Sequence, residues 1–221
     1  MKKVVLNIAL VAFASLAFVA CKDDKNSTTQ EEQEVVEASE AAATYTVNTE
    51  KSVIKWQGEK PTGSHNGTIQ LASGTVEVQD QSIEAGNFTI DMNSIVDLDL
   101  EGESKQNLEA HLKGTVEGKE GDFFNVTEYP TATFELTGVS EQDGKTMVSG
   151  NLTMKDQTHN VTFPASVSFN ENTMSLQSET FAIDRTKWGV NYGSKSVFDN
   201  LGDKFINDEI ELTIELHASK S

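Results

Sequence analysis

The dominant pattern along the chain is an alternation of apolar and polar residues with period two, the mark of a strand with one buried face. Ile210, Leu212, Ile214 and Leu216 alternate with Glu211, Thr213, Glu215 and His217. Phe88, Ile90 and Met92 alternate with Thr89 and Asp91, Phe134 and Leu136 flank Glu135, and Leu152 and Met154 flank Thr153. Similar stretches occupy residues 45–47, 53–57, 75–78, 161–169 and 174–183. Polar turn sequences separate them: Asp80-Gln81-Ser82, Gln142-Asp143-Gly144-Lys145 and Asn170-Glu171-Asn172. Eight or more strands with no long amphipathic helix between them predict an antiparallel all-β domain. Residues 103–113 are the exception, with Leu108 and Leu112 at i and i+4 among charged neighbours. That spacing marks one face of a helix. About three turns are too short for a second core layer, so the helix is expected to plug an end or an edge of the sheet.

Composition separates a sandwich from a barrel. The chain has 221 residues, of which 37% are apolar, below the usual 45–50% even when glycine is set aside. A sandwich must fill a dense core between two sheets. An up-and-down barrel buries one face of each strand around a space that a ligand can complete, as in lipocalins. The predicted fold is therefore all-β: an antiparallel, up-and-down, lipocalin-like barrel of about eight strands with one short helix. An empty apolar interior costs stability, which favours a bound hydrophobic molecule.

The amino terminus reads as an address. In residues 1–20, Lys2 and Lys3 precede an apolar run that ends at Ala20, the build of a secretory signal peptide. A small residue followed by Cys21 resembles the bacterial lipobox, although Phe18 departs from the aliphatic residue usual there. On that reading Cys21 is acylated and anchors the chain at a membrane. Lys22-Asp23-Asp24 resembles the surface-export signal of Bacteroidetes lipoproteins, so the expected location is the outer membrane, on its periplasmic or its outer face. Residues 21–43 carry seven acids and no aromatic residue and are expected to be a disordered acidic tether. The folded domain is expected to span residues 44–221.

Charge and cysteine content narrow the functions. Thirty-five acidic residues against 17 basic ones give −18, which excludes sequence-independent nucleic-acid binding. Residues 44–221 alone hold 13 basic and 28 acidic residues, a net −15, which disfavours adsorption to anionic headgroups. One cysteine excludes an intramolecular disulfide and any Cys-rich metal centre. The histidines at 65, 111, 159 and 217 have no metal-motif spacing, so a zinc site would have to be assembled across strands. Asp97, Asp99, Glu101 and Glu103 offer oxygen ligands for calcium but lack the EF-hand pattern, and a solvated acidic loop is the plainer reading. No metal or cofactor is assigned. No nucleophile elbow, P-loop or dinucleotide fingerprint is present, and no catalytic residue is assigned.

An ordered series of segments carries a family resemblance. His65-Asn66-Gly67 is followed by His111-Leu112-Lys113, Asp122-Phe123-Phe124-Asn125-Val126 and Glu128-Tyr129-Pro130-Thr131-Ala132-Thr133-Phe134. Then come Gly150-Asn151-Leu152-Thr153-Met154-Lys155, Thr158-His159-Asn160-Val161-Thr162-Phe163-Pro164 and Ile183-Asp184-Arg185-Thr186-Lys187-Trp188-Gly189-Val190. Over residues 44–218 this series resembles the YceI-like family of polyisoprenoid-binding bacterial envelope proteins. The resemblance implies an extended lipocalin-like barrel of eight strands holding a polyprenyl chain or isoprenoid quinone, its polar head near the mouth, with no established catalytic residues.

Candidate lining residues, taken from inward parity, are Trp56, Phe88, Ile90, Phe134, Leu152, Phe163, Phe181 and Leu212; one slip of register reverses the parity of a strand. Each aromatic residue can equally be plain core. His65 and Arg185 are candidates for the headgroup; a solvated loop histidine and a strand-bracing arginine are the alternatives. The expected function is to bind, and to carry or store, a long isoprenoid lipid or quinone at the cell envelope. The alternative is a surface-displayed interaction or structural lipoprotein whose barrel is filled by its own side chains. Oligomeric state is left open, a homodimer included.

Overall fold

Turn chemistry sets the strand boundaries. Asp80 and Gln81, Asp143 and Gly144, and Lys155 and Asp156 all have positive φ, as two-residue type I′ hairpin turns require. The first two pairs fall in turns predicted from the sequence; the third contains no glycine or asparagine and gave no signal. The computed structural model describes residues 27–221, so the signal peptide over residues 1–20, Cys21 and Lys22-Asp23-Asp24 lie outside the described residues. The strands are β1 (Thr28–Glu31), β2 (Ala43–Val47), β3 (Val53–Lys60), β4 (Gly63–Gln79) and β5 (Ser82–Asp97). After helix α1 (Gly102–Lys113) come β6 (Thr131–Gln142), β7 (Lys145–Met154), β8 (Gln157–Asn170), β9 (Thr173–Ser178), β10 (Phe181–Asp184) and β11 (Glu209–Lys220).

Eight strands close a ring in the order β3-β4-β5-β6-β7-β8-β9-β11 and back to β3, every pairing antiparallel. This is the lipocalin-like all-β barrel that the alternation predicts. The other strands extend two lanes. β2 lies between the far ends of β4 and β11, and β10 continues beside β11 where β9 has ended. At that level β1 runs along β8, from Thr28 opposite Thr162 to Glu31 opposite His159. The inward alternation of β11 is matched across the ring: Leu212 faces Trp56 of β3 and Phe181 of β10, and Leu216 faces Leu176 of β9.

The amino-terminal segment differs from the expected tether, because residues 28–31 form a strand. No apolar residue drives this order; backbone pairing does. The Gln33 N–H donates to Asn151 Oδ1 at 3.0 Å and its carbonyl accepts from Asn151 Nδ2 at 2.7 Å. Asn151 is 1% exposed and its Oδ1 also accepts from the equally buried Asn160 at 3.0 Å. Two buried amides thus treat the segment as one more strand, satisfying groups that would otherwise be costly to bury.

Helix α1 matches the predicted segment to within a residue. Gly114 ends it in the left-handed region at φ 69°, where glycine avoids the Cβ penalty. The helix buries no residue completely and packs against β5, where its Glu109 Oε1 accepts the Asp97 N–H at 3.0 Å. Asp184 and Arg185 do not share a strand: β10 stops at Asp184, whose carboxylate accepts from the N–H and hydroxyl of Thr186 and so caps a 3-10 turn over Arg185–Trp188.

Two substitutions test this architecture through thermal melts. A Cβ at Gly150 would lie 2.2 Å from the Phe134 ring and 2.8 Å from the Glu135 carbonyl, so Gly150→Ala is expected to cost about 1–3 kcal/mol. Gln81 holds φ 64° without need of a side chain, so Gln81→Gly is expected to stabilise the hairpin by about 1 kcal/mol.

Candidate functional site

The two ends of the barrel are filled differently. Toward one end aromatic rings close the interior: Phe163 stacks on Phe181 with centroids 4.3 Å apart, and Phe134 lies 6.2 Å from Phe88 and 6.0 Å from Phe163. A residual space of ≈ 70 Å³ remains beside Phe88, Phe134 and Phe163. Toward the other end lies a cavity of ≈ 340 Å³, within the range of small-molecule sites. Ile54 borders both.

The wall of the larger cavity comes from the inward face of the barrel. Trp56 of β3, Met92 and Ile95 of β5, Leu152 of β7 and Leu212 of β11 contribute to it. Its lid is α1 and the segments that follow: Leu108, His111 and Leu112 from the helix, then Phe123, Phe124 and Tyr192. The His111 ring packs edge-on against Phe123 at 5.0 Å and Tyr192 at 4.9 Å. Its Nε2 is 2.7 Å from Asp122 Oδ2, which fixes the ring between helix and loop. Tyr192 is 41% exposed, so this three-ring group reaches from the cavity to solvent.

Polar groups gather at the lid end, where Glu59, Lys60, His65, Arg185 and Asn207 border the cavity. Arg185 is 1% exposed. Its Nε donates to the Asn207 carbonyl at 3.0 Å, Nη1 to Val190 at 2.6 Å and Nη2 to Ile206 at 3.2 Å. Asp208 lies 3.7 Å from Nη2. Burial draws the guanidinium pKa down, and Asp208 and Asp184 oppose that. The group ties the end of β10 to the loop that leads into β11. His65, opposite Gly58 of β3, holds Asp99 Oδ2 at 2.9 Å through Nδ1. Desolvation raises the Asp99 carboxyl pKa, but the Asn66 N–H, His65 and Asp97 outweigh it and leave it below its ordinary value. The Trp56 indole N–H is buried without a partner among the described residues, a donor available to a ligand atom.

The candidate residues fall into three groups. Trp56, Leu152 and Leu212 line the larger cavity together with His65 and Arg185. Phe88, Phe134 and Phe163 line the smaller space. Ile90 and Phe181 belong to the packed core and border neither. Sequence reasoning placed Leu108 and Leu112 on one helical face, and that face is turned to the cavity. His111 entered only as part of a family-like segment and Tyr192 not at all, and the two meet only through folding. Met92 and Ile95 of one strand both reach the cavity, so β5 departs there from strict alternation; the pairing of β4 with β5 shifts at several points. Gly67 in His65-Asn66-Gly67 has a local reason: a Cβ there would lie 1.9 Å from the Val96 carbonyl and 2.6 Å from the Trp56 ring.

An apolar chamber with polar groups at one end can hold an apolar body by burial, at about 25 cal/mol per Å², and orient a polar head. Among solved structures, BcnA of Burkholderia cenocepacia is similar at 23% identity, with a TM-score of 0.61, covering 78% of this chain and 99% of that one. A polyisoprenoid-binding domain from Saccharophagus degradans is similar at 12% identity, with a TM-score of 0.56, covering 81% of this chain and 99% of its own. At these identities the likeness concerns the fold. No curated protein matches the chain. The model of the YceI-like domain matches residues 45–218, from β2 into β11 and so around the whole barrel, and the chain belongs to the YceI-like family.

Proposed function

We propose that this protein binds an isoprenoid lipid or isoprenoid quinone in its barrel, and carries or stores it at the bacterial cell envelope. The observation that carries the reading is the ≈ 340 Å³ chamber, apolar along its walls and polar only at the lid end. The Saccharophagus degradans relative, a polyisoprenoid-binding domain, supports the ligand class. Membership in a family of binding proteins supports a role without catalysis. The envelope assignment rests on the sequence: a signal peptide over residues 1–20, acylation of Cys21 and surface export through Lys22-Asp23-Asp24. The barrel's own net charge of −15 makes the acyl anchor the route to the membrane.

Residues 22–221, which retain β1, purified without denaturant and extracted with organic solvent, are expected to release one polyprenyl species per chain, identified by mass spectrometry. An empty extract from folded protein that also fails to reload with a polyprenyl lipid would leave an interaction scaffold as the better reading. Leu108 borders the chamber from a helix with no fully buried residue. Leu108→Asp is therefore expected to weaken lipid uptake at least about tenfold, since a charge must enter an apolar site, while the melting temperature changes little. Leu212→Asp, in the barrel wall, is expected to abolish uptake or folding. Replacing Cys21 by Ser is expected to move the protein from the membrane to the soluble fraction.

A further inference from the structure

Asp97 ends β5 with its side chain fully buried, and its two oxygens are treated unequally. Oδ1 accepts from the Leu100 N–H at 2.7 Å. Oδ2 is shut off from solvent and has no hydrogen-bond partner among the described residues. A carboxylate oxygen in that state is costly unless a cation or a proton meets it, and an ion is one of the few explanations for such an orphan. The solvated-loop reading therefore does not fit Asp97, although Asp99 remains exposed.

The neighbours of Asp97 are metal-ligating types. A ring nitrogen of His65 and one oxygen each from Asp97 and Asp99 lie within 4.8 Å of one another. Asp99 repeats the division of labour seen in Asp97. Its Oδ1 accepts from the Asn66 N–H at 2.7 Å, and its Oδ2 faces His65 Nδ1 at 2.9 Å. Each carboxylate thus has one oxygen fixed by a backbone N–H; the other is unpartnered in Asp97 and faces the His65 ring in Asp99. Such outer hydrogen bonds orient ligands before an ion arrives. Across the cluster, Glu109 of α1 accepts the Asp97 N–H and pairs with Lys105 at 3.7 Å, which engages Lys105 with Glu109.

We propose that His65, Asp97 and Asp99 form a binding site for a divalent first-row transition-metal ion, with Zn²⁺ as its representative. One imidazole nitrogen and two carboxylate oxygens suit such an ion, and leave a fourth tetrahedral position open. Calcium requires six to eight oxygen ligands, more than this cluster offers. The site joins β4 to β5, and His65 also borders the chamber, which puts the ion at the chamber's polar end. Metal binding by these three residues does not depend on the identity of any lipid.

The full-length chain carrying Cys21→Ser, which removes the one thiol, is stripped with chelator and titrated with Zn²⁺ alone at buffered free concentrations. Bound metal is read by elemental analysis, affinity by calorimetry and folding by circular dichroism. One Zn²⁺ per chain is expected, together with a higher melting temperature. His65→Gln, Asp97→Asn and Asp99→Asn are each expected to weaken binding at least about tenfold, while His217→Gln, on the exposed side of β11, leaves it unchanged. If Asp97→Asn fails to fold, the His65 and Asp99 variants decide, since both side chains reach solvent. Absence of stoichiometric Zn²⁺ binding, parental affinity in the folded variants, or tighter binding of Ca²⁺ than of Zn²⁺ would overturn the proposal.

Discussion

Closure of the sheet is the constraint on which the rest of the structure depends. β11 achieves it by pairing on one side with β2 and β3 and on the other with β9 and β10. A closed sheet has no free edge within the ring, and it turns half of every strand's side chains onto a shared interior. Those inward residues determine both stability and function. Where Phe88, Phe134, Phe163 and Phe181 converge, the interior is nearly solid. Where Leu and Ile line the wall and α1 covers the opening, a chamber is left.

The same constraint explains the glycines and amides that stand out. Phe134 needs the missing side chain of Gly150 across the β6–β7 ladder, and Trp56 needs that of Gly67 on β4. At these two places the ring lies where a neighbouring Cβ would be. Asn151 of β7 and Asn160 of β8 are buried polar side chains that bond each other, and Asn151 bonds both backbone groups of Gln33, which makes that segment part of the barrel.

The lid end concentrates the polar chemistry. Arg185 spends its guanidinium nitrogens on the carbonyls of residues 190, 206 and 207, so the loop that brings Asn207 and Tyr192 to the chamber is held from below. His111 is held between Asp122 and two aromatic rings. These contacts fix the rim of the chamber while its wall stays apolar, an arrangement that admits an apolar body and orients one polar end.

Strand identity, the antiparallel class and the one short helix were legible in the sequence, because period-two alternation and the i, i+4 pair Leu108/Leu112 are local consequences of backbone geometry. The barrel followed from apolar content, and the family from ordered segments. Parity placed Trp56, Leu152 and Leu212 in the chamber wall, but it put Phe88, Phe134 and Phe163 in the same wall, since alternation shows which face is inward and not how far along the axis a ring lies. β1 was invisible because Thr28-Thr29-Gln30-Glu31 has no apolar member, and its order comes from the unpaired edge of β8 and two distant asparagines. His65 meets Asp97 and Asp99, and His111 meets Tyr192, only because the hairpin register and the helix position bring together residues 32 to 81 apart in the chain. Periodicity along one strand determined the elements; contacts between strands, which no local pattern encodes, decided the chamber and its rim.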